Sequence, residues 1–224
     1  MAALEYEQAR GKQHLALLES AQQNLSIKIR DLREKIKQLE EKRLQIENST
    51  HDELKKELER YIVSTKIFEV SGIGQTLGKS IIRHIYKSSI TDLRYASRLQ
   101  GIGENKQYAI NTWIRKYERE IPKLMKQDFP GKKQLLLVSA KKIFVLNEEI
   151  CKLSFRRKYL EEKLTTINPW IDKLRKISKK DFINARLNNQ NNLDEIDLFT
   201  NGVFGEWEPM PEWFKDVLNE VNNV

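Results

Sequence analysis

The chain has 224 residues and a net charge of +8, with 32% charged and 39% hydrophobic residues, a balance that favours solvated helices over a thick core. A single cysteine, Cys151, excludes an internal disulfide framework or cysteine metal site, and His14, His51 and His84 show no ligand spacing. No signal peptide and no apolar run of membrane-spanning length is visible, which predicts a soluble, cytoplasmic protein without a membrane partner, metal or cofactor.

The first predicted element is a long helix. Leu18, Leu25, Leu32, Leu39 and Ile46 recur every seventh residue, Ile29 and Ile36 fill the alternate positions, and Arg43 is the polar seam residue. That is the heptad of a coiled coil, here an N-terminal arm over residues 1–53. The pair Thr50 and Glu53 has capping-box spacing, which predicts a helix restart near Thr50.

Residues 54–128 read as helix, hairpin, helix, connector, and then the same again. Leu54, Leu58, Tyr61 and Ile62 form the apolar face of the first helix, and Leu77, Ile81, Ile82 and Ile85 that of the second. Between them lies V70-S-G-I-G-Q-T-L-G-K-S-I82. Ser89, Ile90 and Thr91 start a short helix carrying Leu93, and L99-Q-G-I-G-E-N-K-Q-Y-A-I110 leads into a last helix with Ile110, Trp113 and Ile114 inward. In each Gly-Ile-Gly the glycines allow positive φ and close approach, while the isoleucine pins the turn to the core. Successive amides then point outward beside the positive end of the next helix, an arrangement that binds a phosphate oxygen without reading a base. The contact set is Ser71, Gly72, Ile73, Gly74, Gln75, Thr76 and Lys79 in the first copy. In the second it is Gln100, Gly101, Ile102, Gly103, Asn105 and Lys106. Further basic residues that could line a phosphate-facing surface are Arg83, Lys87, Arg94, Arg98, Arg115, Lys116 and Arg119.

A second seam follows, with Ile143, Leu146, Ile150, Leu153, Leu160, Leu164, Ile167, Ile171 and Leu174, and with Arg157 in the polar position. It marks a C-terminal arm over residues 129–187, opened by the turn Phe129-Pro130-Gly131 and with a helix restart predicted at Asn168-Pro169. Aligning Ile46 with Ile143 places Leu18 opposite Ile171, so the arms match in length and predict an intramolecular antiparallel coiled coil. A parallel homodimer is the competing arrangement, and a monomer is favoured. Residues 188–224 are an Asn-rich linker and an acidic aromatic tail, including G205-E-W-E-P-M-P-E-W-F214. That tail is read either as packing Trp207 and Trp213 on the stalk, or as a motif for a protein partner or an acidic mimic that covers the basic face until DNA displaces it. Charge is uneven along the chain: residues 122–192 carry 17 Lys and Arg against 7 Asp and Glu, a net +10, and the segment from 193 carries 1 against 8, a net −7.

The two Gly-Ile-Gly stretches resemble the halves of a tandem helix-hairpin-helix DNA-binding domain. The segment is also similar to bacterial proteins in which such a domain accompanies a serine/threonine kinase. The resemblance implies an all-α fold, a long antiparallel coiled-coil stalk with a tandem helix-hairpin-helix head. It also implies sequence-nonspecific binding to the backbone of double-stranded DNA. The family's small residue four places after the second glycine is met by Gly78 but replaced by Gln107 in the second copy, where Glu104 stands in place of a frequent proline. These departures assign the firmer phosphate contact to the first hairpin. No strand precedes either glycine pair and no G-x-x-x-x-G-K-[ST] occurs, which argues against a nucleotide loop. Kinase motifs are missing too. Asp92 lies where related glycosylases carry a catalytic aspartate, but Thr91-Asp92 before Leu93 is more simply a helix start, so the chain reads as non-enzymatic. The alternative from another class is a protein–protein scaffold in a kinase-linked module, with a partner on the coiled coil or the tail.

Overall fold

A computed structural model describes residues 1–85, 89–188, 193–202, 212, 215–217 and 219. Among these the chain is all-α. Its helices are α1 (Ala2–Gln8), α2 (Arg10–Lys66), α3 (Gln75–Ile85), α4 (Glu104–Leu124), α5 (Lys132–Arg175), α6 (Lys179–Asn188) and α7 (Leu193–Asn201). Two 3₁₀ segments, Ile67–Glu69 and Ile90–Arg98, lead into the two glycine turns. The residues fall into two compact units, Met1–Leu39 with Glu149–Val224, and Glu40–Glu148.

In the first unit α2 and α5 run in opposite directions. Gln22 Nε2 donates to Asn168 Oδ1 at 2.9 Å, Arg33 pairs with Glu161 at 2.8 Å, and Arg175 with Glu19 at 2.9 Å. The heptad positions Leu18, Leu25, Ile29, Ile36 and Leu39 are buried, as are Leu160, Ile167, Ile171 and Leu174 on α5. The alignment of Leu18 with Ile171 predicts the Gln22–Asn168 contact to within one residue. Pro169 does not restart a helix, because α5 runs through it to Arg175. One lost amide and a ring clash disfavour proline inside a helix, and burial of Ile167, Ile171 and Leu174 along one face offsets that cost. The end of the unit is closed by aromatic packing: Tyr6 stacks on Phe199 at 5.2 Å and meets Phe182 edge-on at 5.6 Å. Gly11 lies directly against the Phe199 backbone. From the acidic tail, Val217 is fully buried in this core and Asp216 pairs with Lys163 at 3.2 Å. Trp207, Trp213 and the linker residues Asn189, Gln190, Asn191 and Asn192 lie outside the described residues.

In the second unit the two long helices are again antiparallel. Arg43 Nη1 donates to Asn147 Oδ1 at 3.3 Å and Thr50 Oγ1 to Ser139 Oγ at 2.8 Å. The alignment of Ile46 with Ile143 places Thr50 opposite Ser139. Thr50 starts no new helix: its hydroxyl also reaches Ile46 O at 2.6 Å, one turn back, and α2 continues to Lys66. Bonding to its own preceding turn satisfies the hydroxyl inside a continuous helix and leaves no cap to form. The core gathers Leu54, Leu58, Ile62, Val63 and Ile67 with Ile81, Ile90, Leu93, Ile110, Trp113 and Ile114. Tyr61 is not in it; that side chain is partly exposed and Val63 takes the inward place. The last helix runs past Glu118 to Leu124, burying Tyr117 and Ile121 as well. Phe129-Pro130-Gly131 is the expected turn, with Gly131 at φ +84°. Lys132 clasps it by donating to Met125 O at 2.8 Å and Gln127 O at 2.6 Å, carbonyls of the segment just past α4.

Candidate functional site

The two Gly-Ile-Gly turns are the same object built twice. In the first, Val70 N–H donates to Ile67 O at 3.1 Å, Ile73 N–H to Val70 O at 3.0 Å and Gly78 N–H to Gly74 O at 2.9 Å. In the second, Leu99 donates to Ala96 O at 2.8 Å, Ile102 to Leu99 O at 3.2 Å and Gln107 to Gly103 O at 3.0 Å. Each bond maps onto its counterpart by the offset between Gly72 and Gly101, which is 29 positions (101 − 72). Gly72 and Gly101 have φ of +79° and +89°, the left-handed region that favours glycine. Ile73 and Ile102 are buried, and they anchor each turn as the pattern requires.

The second glycine of each turn is different. Gly103 is extended, at φ −87° and ψ 179°, and Gly74 is not among the left-handed glycines. A β carbon at either position would meet nothing within 4 Å. Neither residue carries a side chain able to cap the following helix, and α4 has no side-chain cap bond. The first-turn amides of α3 and α4 therefore keep their outward donors, which helix geometry leaves without partners inside the helix. Ser71, Gly72, Gly74, Gln75, Thr76 and Lys79 are exposed, as are Gln100, Gly101, Gly103 and Asn105, while Lys106 is half-buried.

Each turn faces the helix that follows the other turn. The β position of Gly72 lies 3.5 Å from Lys106 Cγ, and that of Gly101 lies 3.7 Å from Leu77 Cδ1. Leu77 and Lys106 are the third residues of α3 and α4. Lys106 also donates to Gly101 O at 2.8 Å. Thr76, Ser80, Arg98, Gln100, Gly101 and Lys106 line one surface depression between α3 and the second turn.

Gly78, the small residue of the first copy, lies against the Phe68 ring, where a β carbon would come within 2.8 Å of Cδ1. Its counterpart Gln107 has a bonding role instead, donating to Leu93 O at 3.2 Å and Asn111 Oδ1 at 3.1 Å. Asp92 caps its 3₁₀ helix, accepting the Ser89 N–H at 2.8 Å.

Three features escaped the sequence reading. Glu59, almost fully buried, accepts the Ile90 N–H at 3.0 Å and so ties α2 to the second 3₁₀ segment. Tyr117 donates its hydroxyl to Glu69 at 2.9 Å, and burial, then this bond, pushes the phenol up to about 12. Hydrogen bonds from Lys66 and then Tyr117 hold Glu69 below the usual carboxylate range. Polar partners on separate elements leave no periodic signal in a sequence, unlike a hydrophobic face.

Of the basic residues, Arg94 is paired with Glu118 at 2.7 Å, Arg98 lies over the Tyr95 ring and Lys116 over Tyr117. Lys87 lies outside the described residues. Among the described residues no cluster of three or more His, Cys, Asp or Glu side chains is placed to hold a metal, and no helix is long and apolar enough to cross a membrane. No family model, curated protein or solved structure matches the chain.

Proposed function

We propose that residues 54–128 form a tandem helix-hairpin-helix domain that binds double-stranded DNA without sequence preference and without catalysis. In this reading α2 and α5 pair as an antiparallel coiled coil that serves as spacer or docking arm. The observation that carries the proposal is the second glycine of each turn. Gly74 and Gly103 are required neither by backbone conformation nor by packing within the chain. Glycine at such a place keeps the approach open for a backbone from outside, and the amides behind it suit a phosphate oxygen.

The test is fluorescence anisotropy of the full chain with a short labelled duplex at several salt concentrations. About three to five neutralised phosphates are expected, each contributing a slope of about −0.9 in log K against log salt. Absence of binding at low salt, or binding indifferent to salt, would sink the reading.

A second reading, a protein scaffold, rests on one observation in the second unit. Leu136, Leu137, Val138, Phe144 and Val145 of α5 are all exposed, a concentration of large apolar side chains within one short stretch of helix.

A further inference from the structure

We propose that the outer face of α5 over residues 137–148 is an interface with a second copy of this chain. The two helices pack antiparallel about a twofold axis between Phe144 and Val145. The interface belongs to the second unit alone and stands whether or not the chain binds DNA. On the inner side of α5, Ser139 is buried and meets Thr50, Asn147 meets Arg43, and Ile143 and Leu146 are half-buried. At about 3.6 residues per turn the opposite side carries Leu137, Val138, Lys141, Phe144, Val145 and Glu148. Such solvent-facing positions of an amphipathic helix are expected to be polar. Four of them are apolar instead, and Leu137, Val138, Phe144 and Val145 remain 58%, 47%, 62% and 61% exposed. Leu137 and Phe144 form one column and Val138 and Val145 another, with Lys141 and Glu148 in the line between.

The two charges name the occupant. Lys141 and Glu148 are exposed, and neither pairs with an opposite charge among the described residues. Seven residues set them about 10 Å apart along the helix, too far to pair with each other. A face with a cation at one end, an anion at the other and an apolar pair midway is complementary to itself when reversed. With the twofold between Phe144 and Val145, Lys141 of each copy meets the partner's Glu148, and both copies' Phe144 and Val145 meet in the middle. A twofold placed at Lys141 overlaps the apolar columns more fully, but it sets Lys141 against its own copy, and like charge disfavours it. Charge therefore selects the register as well as the partner.

The experiment is sedimentation velocity on the full chain between about 1 and 100 µM, with helical circular dichroism as the fold check. The parent should move from the 26.5 kDa monomer toward twice that mass as concentration rises. Lys141→Glu and Glu148→Lys each place like charges across the twofold, and each should weaken the dimer about tenfold. Mixing these two variants is the decisive arm. One copy then carries carboxylates at both positions and the other carries ammonium groups, so the mixture should dimerise like the parent. The double exchange within one chain should do the same. Phe144→Ser should leave a monomer across the range. A parent that stays monomeric overturns the proposal. A dimer that survives Phe144→Ser puts the contact on another face and overturns it too. So does a mixture of the charge variants that associates no better than either alone.

Discussion

Lys106 lies beside Gly72 in the second unit: a β carbon at Gly72 would stand 3.5 Å from the lysine Cγ. The equivalent contact, Leu77 Cδ1 at 3.7 Å from the β position of Gly101, completes the pair. Each turn thus lies beside the third residue of the other turn's helix. The residue at that place is leucine in one helix and lysine in the other, and it is the methylene stem of the lysine that faces Gly72.

The first glycine of each turn should matter for stability. Gly72 and Gly101 have φ of +79° and +89°, where an L side chain is strained, while their β positions make only ordinary contacts. Gly72→Ala and Gly101→Ala should each lower unfolding free energy by about 1–2 kcal/mol from backbone strain alone. Urea denaturation followed by circular dichroism checks this, and unchanged midpoints would contradict the left-handed turns.

Much of the fold was legible because it rests on periodicity. The heptads in α2 and α5 gave the helices and their pairing, down to the Thr50–Ser139 contact. The punctuation was less readable. Thr50-x-x-Glu53 and Asn168-Pro169 look like helix boundaries locally, yet both sit inside continuous helices, because burial along one face outweighs a local stop signal. In the candidate site the glycines were readable and their surroundings were not. The 29-residue offset already sets Glu69 against Arg98 in the sequence, but the bonds of Glu69 to Lys66 and Tyr117 leave no periodic signal there.

Gly11 should be intolerant of any side chain. Its β position runs into the carbonyl oxygen of Phe199 and lies 2.9 Å from the Phe199 Cα, and both are backbone atoms. Gly11→Ala removes a flexible residue from the first turn of α2, where the gain in helix propensity is at most about 1 kcal/mol. The clash should outweigh that gain by forcing α7 away and breaking the Tyr6–Phe199 stack at 5.2 Å. A net loss of about 1–3 kcal/mol is expected, the range for overpacking. Thermal denaturation of the variant reads it directly, and a variant more stable than its parent would contradict the packing of α7.

His14 makes the first unit acid-sensitive. It is fully buried, and burial first, then the nearby Arg10 charge, lowers its pKa below the ordinary value of 6.5. The folded state therefore favours the neutral ring, while the unfolded chain takes up a proton near 6.5. Stability from this group is present above that pH and is lost as pH falls through the lower folded value. The denaturation midpoint should decline below about pH 6.5. His14→Gln, which cannot titrate, should flatten that decline whatever its own stability at neutral pH.

Tyr117 gives the opposite sign at the alkaline end. Its phenol is raised from 10.0 to about 12 by burial first and then by donating to Glu69. The unfolded chain loses this proton near 10 and the folded chain near 12, so its contribution persists below pH 10 and drains away between those values. Phenolate absorbance should show a late transition near pH 12 in the parent chain that Tyr117→Phe removes. The same variant orphans an acceptor on Glu69 and should cost about 1 kcal/mol at neutral pH.

Gly74→Ser separates fold from binding. Serine is among the best residues at the position before a helix, because its hydroxyl accepts a bond from a first-turn amide. At Gly74 the side chain has open space and no left-handed backbone to strain, so stability should hold or rise by a few tenths of a kcal/mol. The amide that the hydroxyl takes is one that the first turn of α3 would offer a phosphate in the DNA-binding reading, and the added atoms stand in the path of an approaching backbone. Duplex affinity should therefore fall by about tenfold, about 1.4 kcal/mol, the order of one charge-assisted hydrogen bond. Gly103→Ser makes the same change beside Glu104, whose carboxylate already opposes a phosphate there, and should cost less than about threefold. A Gly74→Ser chain that is no less stable and binds duplex as well as its parent would remove the amides of α3 from the interface.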